Sequence, residues 1–251
     1  MILQGVNKLT LEGDYSYNCS ALQVDKSAKI VIGGNGSLSV INEEGYGIGS
    51  HDFNFNNYPG DVCGTIIINS GSVEAIGKLG GIGGYESVIE INGGTVGSSV
   101  HISGAETIVE ATGGDAGIGY GEQDNVTYMP LDINISGGTV TASGTFVLIG
   151  GGKGSIHITG GTIKTISRGA VIGGKMVTDI TIKDASVNIE DGLIGGYFRG
   201  LDQEDKKISR NITIGGNAVI TGNSSQLGME GIGGGDNSDS TIVIKDNAEI
   251  G

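Results

Sequence analysis

The chain has little of most residues that carry familiar chemistry. Among 251 residues there is no tryptophan, and there are two prolines, two cysteines, three histidines and four methionines. Near-absence of proline, with no G-X-Y period, excludes collagen despite 50 glycines. Two cysteines, Cys19 and Cys63, are too few for a disulfide framework or a zinc site, and they read as two separate thiols. Basic residues are scarce: 14 Lys and Arg face 28 Asp and Glu, for a net charge of −14. A nucleic-acid binder needs a basic surface to neutralise phosphates, so that class is excluded. No run of about 18 apolar residues occurs, so no helical membrane span is expected. The opening MILQGVNKLT lacks a charged segment followed by a long apolar stretch, so it does not read as a signal peptide.

What is present is glycine in a pattern. Clusters recur as GIGS from Gly47, GIGG from Gly81, GIGY from Gly117 and LIGG from Leu148, then VIGG from Val171, LIGG from Leu193 and GIGG from Gly231. Two of them sit beside Lys153 and Lys175, which invites a phosphate-loop reading. A P-loop needs the lysine followed by Ser or Thr and then a helix. Here Gly154 and Met176 follow, and SIHITGGTIKTI alternates with period two and is rich in β-branched residues. That is strand grammar, without the helix N-terminus that holds a phosphate. A binding site occurs once, whereas a structural corner occurs once per repeat. The glycines therefore read as corners, where positive φ or close approach forbids a Cβ.

A second element accompanies each cluster: apolar-x-apolar, a small or polar turn, then a β-branched pair. Copies begin at Ile30, Ile66, Ile89, Ile133, Ile156, Ile180, Ile212 and Ile242, with LTLEGDYSY from Leu9 as an earlier one. Ile66 to Ile89 is 23 residues, Ile133 to Ile156 is 23 and Ile156 to Ile180 is 24. The expected fold is all-β: a right-handed parallel β-helix, or solenoid, with three short strands per coil of about 22–24 residues. The strands are I-x-I, [VI]-x-[AT] and x-[IL]-G. One coil cannot bury its apolar face, whereas stacked coils bury a continuous core. Period two turns each pair of isoleucines inward and the residue between them outward, as Glu90, Asn134, His157, Thr181 and Thr213 suit. Val31, Ile67 and Val243 break that rule. Residues 1–251 form one domain. The stretch 93–114 departs from the pattern: the 44 residues from Ile89 to Ile133 are either two coils with a lost corner or one coil with an insertion.

The motif I-x-I-x-G-G-T-V-x-A followed by G-I-G-G resembles right-handed parallel β-helix repeats of the pectate-lyase-like superfamily. More narrowly, it resembles glycine-rich repeats of bacterial secreted and surface proteins that are adhesin-like or carbohydrate-binding. The resemblance spans residues 9–251 and implies an extracellular or cell-surface location in a bacterium. It implies carbohydrate or a host or cell-surface protein as partner, and no cofactor.

The interval from each corner isoleucine to the next I-x-I ranges from 7 residues (Ile82 to Ile89) to 18 (Ile48 to Ile66 and Ile194 to Ile212). Long inserts thus fall at one corner and should line one edge, the usual place for a binding face. They hold Phe53, Phe55 and Tyr58, then Tyr120 and Tyr128, then Tyr197 and Phe198, out of eight tyrosines and four phenylalanines in the chain. Aromatic faces beside Asn, Asp and Gln suit sugar rings. Phe53, Phe55, Tyr58, Tyr128, Tyr197 and Phe198 are the candidate carbohydrate contacts, against the reading that they fold back as small covering clusters. No catalytic or metal site is assigned. The loop acids Asp52, Asp61, Glu122, Asp124, Asp202, Glu204, Asp205, Asp236 and Asp239 form no paired-acid motif, although glycoside hydrolysis needs two facing carboxylates. DNSD (236–239) and DQED (202–205) are weak calcium candidates that match neither an EF-hand loop nor the nonapeptide calcium repeat G-G-x-G-x-D.

The expected function is a non-catalytic structural or adhesive module. The alternatives are a polysaccharide lyase or glycoside hydrolase of the β-helix type, or a segment of a fibre. Neither end looks like a cap, so a fragment of a longer chain, or ends covered by another subunit, is expected, with end-to-end self-association of the isolated piece.

Overall fold

The structure is a computed structural model. It describes residues 1–12, 19–42, 44–50, 63–77, 80–84, 88–93, 95–100, 116–119, 130–143, 147–150, 153–174, 177–196, 208–223, 231–233 and 238–251. These residues are all-β, with strands and turns and no helix. The strands lie in two long parallel sheets, as a β-helix requires.

The first sheet has nine strands. In order they are Ile2–Leu3, Lys29–Gly34, Thr65–Ile68, Val88–Ile91, Pro130–Ile135, Lys153–Ile158, Val177–Lys183, Ile208–Gly215 and Ser238–Ile244. Each therefore carries the I-x-I run of one repeat, except Ile2–Leu3. Registers keep like over like: Ile30 pairs with Ile66, Ile66 with Ile89, Ile133 with Ile156 and Ile180 with Ile212. The second sheet holds the other two runs of each repeat. Val73, Val140 and Ile163 belong to the second run, and Ile82, Ile118 and Ile149 to the third.

Period two decides the core. Ile66, Ile68, Ile89, Ile91, Ile133, Ile135, Ile156, Ile158, Ile182, Ile212 and Ile214 are all at 0% exposure, and so are Ile48, Ile82, Ile118, Ile149, Ile172 and Ile194 of the third run. Val40, Ala75, Ala142 and Thr165 form a smaller buried row of the second run. The intervening Glu90, Asn134, His157, Thr181 and Thr213 are partly exposed in one continuous row. Of the three exceptions to polar outward residues, Val31 and Val243 are exposed, while Ile67 is buried at 6%.

Two details differ from the sequence expectation, and between them one open alternative is decided. Leu9 does not begin an I-x-I copy. Val6–Leu11 is a second run, with Leu9 paired to Val40, and the first sheet instead starts at Ile2. L-x-L reads alike in either place, and only the neighbouring strand fixes its register. Next, Ile89 pairs directly with Ile133, so the 44 residues between them are one repeat. Finally, Thr162–Gly173 and Ser186–Gly195 each carry the second and third runs as one strand. From Ile166 to Ala170 is four residues, whereas their partners Glu190 and Gly192 are two apart, so the register shifts there.

Candidate functional site

The glycine clusters are structural for a reason visible only in the stack. Gly49, Gly83, Gly119, Gly150, Gly173, Gly195 and Gly233 pair in sequence along the third run. Their φ values run from +119° to +157°, a region closed to side chains. A Cβ on any of the first six would also strike the carbonyl oxygen of the next glycine in the column. Conformation and close approach thus demand glycine together, and the backbone packs where a nucleotide loop would need open N–H groups.

This corner positions the inserts. Segments 51–62, 120–129 and 197–207 each leave just after the third run and return at the first sheet. Their roots stack along one edge because Ile48, Ile82, Ile118, Ile149, Ile172 and Ile194 are in register. Segment 101–115 departs from this scheme. It links Thr95–Val100 to Ala116–Gly119, between the second and third runs, so not every long insert lies at the same corner. The candidate carbohydrate contacts Phe53, Phe55, Tyr58, Tyr128, Tyr197 and Phe198 lie outside the described residues, as do Tyr120, His101 and the loop acids apart from the backbone of Asp239.

Two described side chains build the insert roots. Cys63 closes the first: it is buried at 2%, and Asp25 bridges to it across an antiparallel contact. Burial pushes its thiol up to about 12, against the opposing backbone hydrogen bonds of Ser50 and Gly64. No disulfide joins it to Cys19. Arg210 anchors the third root. It is 2% exposed, and its Nε and Nη2 donate to the carbonyls of Val177 and Gly174, each at 2.9 Å. Its guanidinium occupies the space that a side chain on Gly196 would need. Counting back by two from the inward Ile212 reaches Arg210, so period two alone turns it inward.

The outer face of the first sheet presents hydrogen-bonding groups at strand spacing, about 4.8 Å. Ser155 donates to Asp132 at 2.7 Å, and Asp179 accepts from Asn211 at 3.0 Å and from Thr178 at 3.0 Å. At the adjoining turn, Asn92 donates to Asn69 at 2.8 Å and accepts from Ser136 at 2.9 Å. His157 stands between Asn134 and Thr181 in its row. Among the described residues no group of three or more His, Cys, Asp or Glu could hold a metal ion, and no helix is long and apolar enough to cross a membrane. The carboxylates Asp132 and Asp179 are satisfied by neighbours on the same face, an arrangement that orders a surface. Comparison with protein-family models, curated proteins and solved structures finds no match for the chain.

Proposed function

We propose that the chain is a right-handed parallel β-helix of the pectate-lyase-like kind, with three strand runs per coil of about 22–24 residues. It serves as a structural or adhesive module of a bacterial extracellular or surface protein. The observation that carries this reading is the in-register stack from Ile2 to Ile250, whose inserts 51–62, 120–129 and 197–207 leave at a shared corner. A stack from which several inserts leave at one corner suits an extended ligand better than a small one. The aromatic and amide residues of those loops favour carbohydrate. A Phe55→Ala, Tyr128→Ala, Phe198→Ala triple variant should lose binding on a glycan array while keeping its melting temperature. Binding retained in that variant places the site elsewhere. Binding and melting temperature falling together would show that these aromatics only cover the edge.

A further inference from the structure

Two asparagines in the chain precede glycine, Asn35 before Gly36 and Asn92 before Gly93. Both pairs fall at the corner where the first sheet passes to the second. Stacking calls for both glycines. A Cβ on Gly36 would stand 2.5 Å from Gly5 O, and a Cβ on Gly93 would stand 2.8 Å from Asn69 O. The pairing has a chemical consequence. A glycine nitrogen reaches the side-chain carbonyl carbon of the preceding asparagine with ease, because no Cβ crowds the approach. That attack closes a five-membered cyclic imide.

The two pairs are held differently. Asn92 is tied on both sides: its Nδ2 donates to Asn69 Oδ1 at 2.8 Å, and its Oδ1 accepts from Ser136 Oγ at 2.9 Å. Its amide has to leave both neighbours before Cγ turns toward the Gly93 nitrogen. Asn35 is exposed, and among the described residues nothing hydrogen-bonds its side chain. The Gly36 nitrogen donates to Leu3 O at 3.2 Å, the long end of the usual range, so one weak bond restrains the nucleophile. The turn has a repeat on each side of it: Ser37 N donates to Gly5 O at 2.8 Å, and Ser72 N donates to Gly36 O at 3.1 Å.

We propose that Asn35 is a site of spontaneous deamidation, and that the ladder of Asn69, Asn92 and Ser136 protects the second Asn–Gly pair. Gly36 N gives its proton to solvent base and bonds to Asn35 Cγ. The Cγ–Nδ2 bond breaks, and Nδ2 takes up a proton and leaves as ammonia. Water then cleaves one of the two imide C–N bonds, and nothing is oxidised or reduced. Breaking the bond to Cγ leaves aspartate. Breaking the bond to the backbone carbonyl leaves isoaspartate, with an extra methylene in the main chain. Either product adds a negative charge to this corner. Isoaspartate also loosens it, because Gly36 is confined between Gly5 O and Ser72 N and contacts to two repeats must shift at once.

Incubating the folded 251-residue chain in mildly alkaline buffer, with peptide mapping by mass spectrometry at intervals, tests the proposal. The peptide holding Asn35 should gain one mass unit and split into aspartate and isoaspartate forms, several-fold faster than the peptide holding Asn92. In urea, where the ladder is absent, the two rates should converge. Ser136→Ala removes one tie, and in the folded chain it should speed Asn92 several-fold and leave Asn35 as it was. Asn35→Gln should abolish the change at that position and should hold its melting temperature on ageing, while that of the parent falls. An Asn35 that stays intact in the folded chain but reacts in urea overturns the proposal. Equal rates at the two sites in the folded chain overturn it as well, and so does an Asn92 rate unmoved by Ser136→Ala, which takes the protection away from the ladder.

Discussion

Ile158 and Ile244 stand in the same row of the first sheet, in identical I-x-I runs, yet one is fully buried and the other is 53% exposed. The residue, the strand and the inward direction are the same, and only the number of neighbouring strands differs. Burial in this fold is therefore a property of the stack, not of the motif. A repeat contributes its apolar face but receives its cover from the repeats on both sides of it. The glycine column makes the same point. Gly173 has the carbonyl of Gly195 against it, whereas among the described residues Gly233 has no backbone within 4 Å of the place a Cβ would take.

That contrast is broken most forcefully at glycine. Gly173→Ala asks for a side chain at φ +142° and drives its Cβ into the next carbonyl. It should cost on the order of 5 kcal/mol or prevent folding. Among the described residues Gly233→Ala meets only Ile242 Cδ1, at 3.8 Å, so its expected cost is that of backbone strain, about 1–3 kcal/mol. Urea denaturation of the two variants measures the difference. Equal losses would mean that φ alone demands glycine and that the stacked carbonyl is irrelevant.

Isoleucine gives the next largest effect. Ile158→Ala should cost about 2–5 kcal/mol, because a closed core keeps the cavity. Ile244→Ala should cost under about 1 kcal/mol, since half of that side chain already meets water. His157→Ala, one residue from Ile158 but on the outer face, should stay within about 0.5 kcal/mol. Similar losses for Ile158 and Ile244 would show that the last repeat is covered in solution.

The sequence made the inward rows legible wherever strict alternation coincided with a glycine turn, as at Ile66, Ile133 and Ile156. It also made the glycine corners legible, because a cluster recurring once per repeat cannot be a single site. Register was not legible, and register is what assigned Val6–Leu11 to the second sheet and joined Ile89 to Ile133. Alternation is a property of one strand, while register belongs to a pair. Arg210 escaped for a related reason: a charged residue beside a polar insert reads as surface until the period from Ile212 is carried one step further. The six aromatic contacts came from loop composition alone, and loops carry no period to check them against.

Acidity also separates a repeat's interior from its rim. Cys63 holds its proton to about 12 because burial disfavours the thiolate, against an ordinary value of 9.0. The unfolded chain releases that proton near its ordinary value, whereas the folded chain keeps it. The thiol's contribution to stability is thus fully present below about pH 9 and is lost as pH rises toward 12. By pH 10 the loss should reach about 1 kcal/mol. The informative quantity is the stability of the parent relative to Cys63→Ala, which cancels what every other group contributes. That difference should be flat from pH 6 to 8 and should then shrink steadily above pH 9. Iodoacetamide should modify Cys19, half-buried at the first repeat, well before Cys63 in the folded chain. A stability difference that stayed constant up to pH 11 would mean that the root of the first insert admits water, and that the packing around Ser50 and Gly64 opens there.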